Sequence, residues 1–284
     1  MPSIRSLVVP AALLVSVAGL NVGAPSARAA ASNPTWKIQV VVYKYTDFTY
    51  SDGGGGSHHL VGSMVPSDVS LATSDVTTFA HSDIPALSSG NQRPVVSVKL
   101  VDAPLTKFEH DGDGFTPSPV TTAADLDPTA DSHIVLWESV GWDFSTATSK
   151  NIAHSGGLTW NQGRTSTFSA VPFFMLHPTD RNVFKHEWGH AILYYYQAAG
   201  ASPQPTMDNH QPQMSVNCHT GRGYVLVDDT DTNPIPNSIY NDGSGFTHDY
   251  YSGISATSSQ PTRCLGITPA TWATGGPVTK PGRK

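Results

Sequence analysis

The sequence predicts an α+β fold in which a twisted mixed sheet packs on one central helix and the C-terminal part is rich in loops. Three observations predict it. Short runs of β-branched and aromatic residues recur up to residue 175, one stretch of helical periodicity follows them directly, and small turn-forming residues dominate what comes after.

The strand candidates are taken in chain order. Residues 36–45 (WKIQVVVYKY), 94–101 (PVVSVKLV) and 133–138 (HIVLWE) are each bounded by Gly, Pro, Ser or Asp, the residues that end strands. Residues 157–160 and 167–175 form two further candidates and lead into the helix. Between strands, residues 51–57 (SDGGGGS) and 116–131 read as long surface loops. No internal repeat is visible. In the helix, Val183, Phe184, Trp188, Ala191, Ile192 and Tyr195 recur at helical spacing, Thr179 or Asp180 is placed to cap its start, and Gly200 to stop it in a left-handed conformation. A helix packed across a sheet leaves a cleft under the sheet's edge, where an extended peptide can pair.

The chain starts with a short basic segment, Met1 to Arg5, then an apolar stretch from Leu7 to Leu20 that is brief for a membrane span, and then Ala27-Arg28-Ala29. This is the pattern of a signal peptide, residues 1–29, followed by a single secreted domain, 30–284. The expected location is extracellular, with no membrane in the mature form and a monomer as the expected state. A net charge of -6 with 13% charged residues leaves no basic stripe for a phosphate backbone, so nucleic acid is excluded as a partner. Cys218 and Cys264 are an even pair, and a disulfide is expected in an oxidising compartment, contributing about 4 kcal/mol at most. Zinc ligation by Cys218 beside His219 is the rival reading.

Residues 186–190 read HEWGH. On a helix with 3.6 residues per turn, His186 and His190 project from one face a turn apart and can share a cation, while Glu187 stands one step round the surface. This pattern suits a Zn2+ site, one per chain, with Glu187 as general base toward a metal-bound water. The bland alternative is an amphipathic helix with two exposed histidines. Apolar flanks on both sides favour histidines that face an interior cleft.

A catalytic zinc takes three protein ligands and keeps an open position. The chain has three glutamates, Glu109, Glu138 and Glu187, and none after the motif, so a downstream glutamate ligand is excluded. The extended pattern HExxHxxGxxH fails at Leu193 and Tyr196. Downstream aspartates and histidines remain: Asp249 or His248 in residues 245–253 (GFTHDYYSG), then Asp208, His210 and His219.

With HEWGH and the segment containing Thr247, His248, Asp249 and Gly253, the chain resembles the zincin metallopeptidases, and among them the aspzincin or deuterolysin-like peptidases. Their HExxH is completed by an aspartate in a Gly-Thr-x-Asp-x-x-Tyr-Gly segment. This chain carries Tyr250 and Tyr251 where the family's tyrosine comes later, and Ser252 at the tyrosine's place. The resemblance implies a zincin-like fold, His186 and His190 as ligands, Glu187 as general base and Asp249 as third ligand, with His248 the alternative. Residues 237–241 (NSIYN) resemble the turn beneath the metal in metzincins, with Tyr240 in place of methionine. Tyr250 or Tyr251 is a candidate donor to the oxyanion, the alternative being that both are packing residues.

These readings converge on a zinc-dependent endopeptidase acting on protein or peptide substrates. The competing class is a secreted non-catalytic binding protein, for glycan or protein, on a zincin-like scaffold. Glu187 argues against it, because a structural metal site needs no base beside its ligands. The absence of a GxSxG elbow argues against a serine hydrolase.

Overall fold

The runs of β-branched residues become the centre of a five-stranded sheet in a computed structural model that describes residues 33–112, 114–153, 156–176, 181–202, 205, 248–253 and 266–279. Strand β1 (Lys37–Tyr43) lies between β4 (Val95–Val101) and β7 (Ser132–Trp137) and runs parallel to both. Beyond β7, β11 (Thr167–Pro172) is again parallel, and β10 (Leu158–Trp160) closes that end antiparallel to β11. The sheet is therefore mixed and the class α+β.

The three inner strands β1, β7 and β11 are buried at nearly every position because both faces of the sheet are covered. Ile38, Val40, Val42, Ile134, Leu136 and Val171 face the helices. Val41, Tyr43, Val135, Trp137, Phe168 and Ala170 meet a second sheet. Side chains alternate along each strand, so consecutive apolar residues feed two separate cores.

That second sheet corrects the reading of residues 51–57 as a long loop. The segment is the tip of a hairpin between β2 (Tyr45–Ser51) and β3 (Ser57–Ser63), to which β8 (Val140–Asp143) and β9 (Thr148–Asn151) add antiparallel. The Asp52 carboxylate accepts from the amides of Gly54 and Gly56 at 2.9 and 2.7 Å, and Gly55 turns the chain at φ 84°. Residues 36–45 are likewise two elements, broken at Lys44. Residues 167–175 leave the strand after Pro172 and finish in a 3₁₀ turn, Phe173–Met175.

Residues 116–131 also depart from a plain surface loop. After a small hairpin, β5 (Glu109–Asp111) with β6 (Gly114–Thr116), the chain buries Ser118, Thr122, Ala130 and Asp131. The Asp131 carboxylate accepts from the amides of Lys37 (2.8 Å), Val278 (2.7 Å) and Thr279 (2.9 Å) and from the Thr279 hydroxyl (3.0 Å). A buried charge is tolerated when donors surround it, and here it ties the entry of β1 to the last described turn of the chain.

Helix α1 (Pro66–Thr78) starts with Pro66 in its first turn and with Asp68 accepting from the Val65 amide at 2.9 Å. It runs through a π-helical turn, Phe79–Asp83, into α2 (Ile84–Leu87). The long helix of the fold is α3 (Asn182–Ala199), which packs on β10 and β11 and ends at Gly200 with φ 68° and ψ 40°, the left-handed stop expected. Its cap position is Arg181, one residue beyond the expected Asp180 and two beyond Thr179, both of which lie outside the described residues. Arg181 forms a two-pronged ion pair with Asp83, Nε to Oδ2 and Nη2 to Oδ1 at 3.1 Å, fixing the start of α3 to the end of the π turn. Two short helices, α4 (His248–Ser252) and α5 (Pro269–Trp272), complete the described α-helices. Among the described residues no helix is long and apolar enough to cross a membrane.

Candidate functional site

Helix α3 carries two chemically different faces, and the 3.6-residue repeat sorts them. Trp188, Ile192 and Tyr195 lie on the core side. Trp188 stacks between Tyr251 (5.9 Å, 17°) and Trp272 (6.0 Å, 20°), meets Trp36 edge-on at 5.9 Å, and donates its indole N–H to Ser132 Oγ at 3.1 Å. Such ring pairs add about 0.5–1.5 kcal/mol each beyond the area they bury. This aromatic cluster fixes the rotation of α3 about its own axis and so decides where the opposite stripe points.

On that stripe stand His186, His190 and Tyr194, with Glu187 beside them. The imidazoles of His186 and His190 lie 4.8 Å apart between centroids at an interplanar angle of 80°. Both residues are at most 5% exposed, and the Nδ1 atoms of both are sealed from solvent. Exposed histidines on an amphipathic helix would look different. Two adjoining imidazoles with a buried carboxylate one residue away form a polar cluster whose burial in a largely apolar helix carries a desolvation cost.

Glu187, 5% exposed, is held from the sheet. The Thr159 hydroxyl on β10 lies 2.6 Å from Glu187 Oε2, and the Ser169 hydroxyl on β11 lies 3.0 Å from that of Thr159. Gly157, just before β10, passes so close that a Cβ built on it would sit 2.5 Å from Glu187 Oε1. The carboxylate therefore occupies space that any other residue type at position 157 would fill. Tyr194 stacks on His190 at 5.8 Å and 19°. Burial, and then the nearby Glu187 carboxylate, hold its phenol above the ordinary value of 10.0, so it stays a neutral hydrogen-bond donor. Thr159, Gly157 and Tyr194 were not singled out from sequence. Tyr194 had a signal, the spacing 186, 190, 194; the other two did not, because their relation to Glu187 exists only after β10 packs on α3.

The remaining sequence candidates divide clearly. Tyr250 and Tyr251 are fully buried; the Tyr251 hydroxyl donates to the Lys185 carbonyl at 2.6 Å and its ring lies on Trp188. Tyr251 therefore packs on the core side of α3, away from the imidazole stripe. The backbone of His248 and Asp249 forms the first turn of α4, while their side chains lie outside the described residues. Asp208, His210, His219, Tyr240, Cys218 and Cys264 also lie outside them, as do residues 1–29. Glu138 accepts from the Val140 amide at 2.8 Å in the turn between β7 and β8, and Glu109 sits in the β5–β6 hairpin. Among the described residues no group of three or more His, Cys, Asp or Glu side chains converges on a metal position. The described donor set is thus two imidazoles and a neighbouring carboxylate. Two nitrogen donors one helical turn apart with a carboxylate beside them are compatible in chemistry and spacing with part of a zinc site.

No protein-family model, no curated protein and no solved structure matches this chain.

Proposed function

We propose that this protein is a secreted zinc-dependent endopeptidase of the zincin type. The observation that carries the reading is the α3 stripe, with its two adjoining buried imidazoles and the Glu187 carboxylate held between Thr159 and Gly157. His186 and His190 would hold the metal, with Asp249 as third ligand and His248 as the alternative. A zinc ion bound there lowers the pKa of a water and polarises a carbonyl.

The chain's own residues account for the other requirements. Glu187 takes the proton from the water as its oxygen attacks the scissile carbonyl, and delivers that proton to the departing amine. Strand β10 lies at the end of the sheet directly over α3, so an extended peptide pairing with its outer edge runs past Glu187. The half-buried ring of Tyr194, stacked on His190, narrows the site beside it. Residues 1–29 support export, the low charge content supports a protein or peptide substrate in preference to nucleic acid, and a monomer suffices for this chemistry.

A second reading has one observation in its favour. The outer face of the β2–β3–β8–β9 sheet exposes Tyr45, Val61, Trp142 and Phe144, with His59 stacked on Phe144 at 5.5 Å. An aromatic face of this kind suits a non-catalytic binding protein for glycan or protein. One experiment separates the two: cleavage of a generic protein substrate by the purified mature chain, with and without chelator, beside Glu187→Gln. The peptidase reading expects chelator-sensitive cleavage that Glu187→Gln abolishes while zinc content is retained. Bound zinc with no cleavage in the wild-type protein would favour the binding protein.

A further inference from the structure

We infer that Thr159 is the positioning residue for Glu187, and that its hydroxyl, not its methyl, is what the site requires. The inference rests on the peptidase reading for its kinetic consequence and on geometry alone for its structural one.

The Thr159 Oγ1 atom has three oxygen neighbours: Glu187 Oε2 at 2.6 Å, the Glu187 carbonyl at 2.8 Å and Ser169 Oγ at 3.0 Å. A threonine hydroxyl has one proton to give. The carboxylate is the shortest contact and carries the charge, so the proton goes to Oε2 as a charge-assisted bond. Ser169, which also lies 3.3 Å from the Glu187 carbonyl, then donates either to that carbonyl or to Thr159. A two-hydroxyl relay thus runs from β11 through β10 to the base on α3. Thr159 stands on one side of the carboxylate and Gly157 lies against it on the other, and both belong to the same short edge segment. A glutamate side chain has three rotatable bonds. Removing the hydroxyl takes away the short charge-assisted bond at Oε2, and a misplacement of about 1 Å in a reacting group costs on the order of a hundredfold in rate.

Two isosteric changes separate hydroxyl from packing. Thr159→Val keeps the shape and removes the donor; Thr159→Ser keeps the donor and removes the methyl. With zinc-loaded full-length mature protein, Thr159→Val is expected to lower kcat about tenfold or more with KM within about twofold and zinc content unchanged, and Thr159→Ser to restore most of kcat. A packing role predicts the reverse, with Val tolerated and Ser impaired. Crystals of the metal-free variants supply a readout independent of turnover. The Glu187 carboxylate should hold its wild-type position in Thr159→Ser and leave it in Thr159→Val. An undisplaced carboxylate in Thr159→Val, or full kcat in that variant where Glu187→Gln is dead, overturns the inference and leaves the peptidase reading standing. If the wild-type protein cleaves nothing, the peptidase reading fails and the crystals still decide whether Thr159 holds Glu187.

Discussion

Gly157→Ala is the sharpest perturbation of the site, because the change is one methyl group and its target is known. The added Cβ would meet Glu187 Oε1 at 2.5 Å, and the carboxylate carbon and Cγ at 2.8 Å. An ordinary contact begins near 3.4 Å, so Oε1 must retreat by about 0.9 Å. What gives way is the end of a flexible side chain, and the backbone at 157 is outside the left-handed region, so folding should tolerate the alanine. Replacing glycine at a compatible position stabilises by about 0.4–1 kcal/mol through the unfolded chain, which offsets the cost of moving the carboxylate. We expect Tm within about 3 °C of wild type, the equivalent of roughly 1 kcal/mol in a protein of this size. Activity should respond otherwise: a base displaced by nearly 1 Å predicts kcat down about a hundredfold with KM little changed. The assay is steady-state cleavage of a peptide substrate beside thermal denaturation of the same preparation. Wild-type kcat at wild-type stability would refute the placement of Glu187 as the acting base. A large loss of stability would instead show that the glycine serves the fold.

Three further outcomes test other parts of the structure. Gly62→Ala brings a Cβ to 2.5 Å from the Val140 carbonyl oxygen, a backbone atom that cannot swing away; overpacking of this kind costs about 1–3 kcal/mol, so Tm should fall by several degrees, and an unchanged Tm would deny the close approach of β3 and β8. Asp131→Ala leaves three amides and a hydroxyl without their carboxylate and should cost about 3 kcal/mol or more by urea denaturation, whereas a cost under about 1 kcal/mol would mean that water replaces it freely. The third concerns pH. Hydrogen bonds to Asp52 and then Asp143 hold His58 above its ordinary 6.5 against burial and the charge of Lys150; Ser145 and then His58 hold Asp143 below its ordinary 3.8, and His58 and the Gly56 amide do the same for Asp52. A raised histidine contributes below 6.5 and loses its contribution as pH rises through its folded value. A lowered carboxylate contributes above 3.8 and loses its contribution as pH falls through its own. The stability difference between wild type and His58→Gln should therefore be greatest between pH 4 and 6.5 and shrink toward pH 9. A difference independent of pH would show that His58 serves only as a hydrogen-bonded neutral ring.

The parts of the fold that were legible are those where local pattern and tertiary environment agree. β1, β4 and β7 announced themselves as apolar runs, and α3 by its periodicity and its stop at Gly200. The β2–β3 hairpin was missed although its strands alternate buried and exposed positions, because the four glycines between them read as a loop rather than as a turn. α1 was hidden because Ser, Thr and Asp fill it; its stability comes from packing Ala72 and Val76 into the helix-side core rather than from propensity. In the site, the HEWGH spacing carried the imidazole pair and the carboxylate because helical geometry alone sets their relation. Thr159 and Gly157 reach Glu187 across 28 and 30 positions of sequence, and no local pattern encodes that contact. Tyr251 looked like an oxyanion donor by its neighbours, but the Lys185 carbonyl takes its hydroxyl.

Metal content is the most direct test of the central claim, that the α3 imidazole pair belongs to a zinc site. Purified wild-type protein, dialysed against metal-free buffer and analysed by mass spectrometry for bound metals, should hold one zinc per chain, and His186→Ala and His190→Ala should each lose it while keeping the wild-type circular dichroism spectrum. Zinc retained in both variants, or none bound by the wild-type protein even after incubation with zinc, would contradict the account.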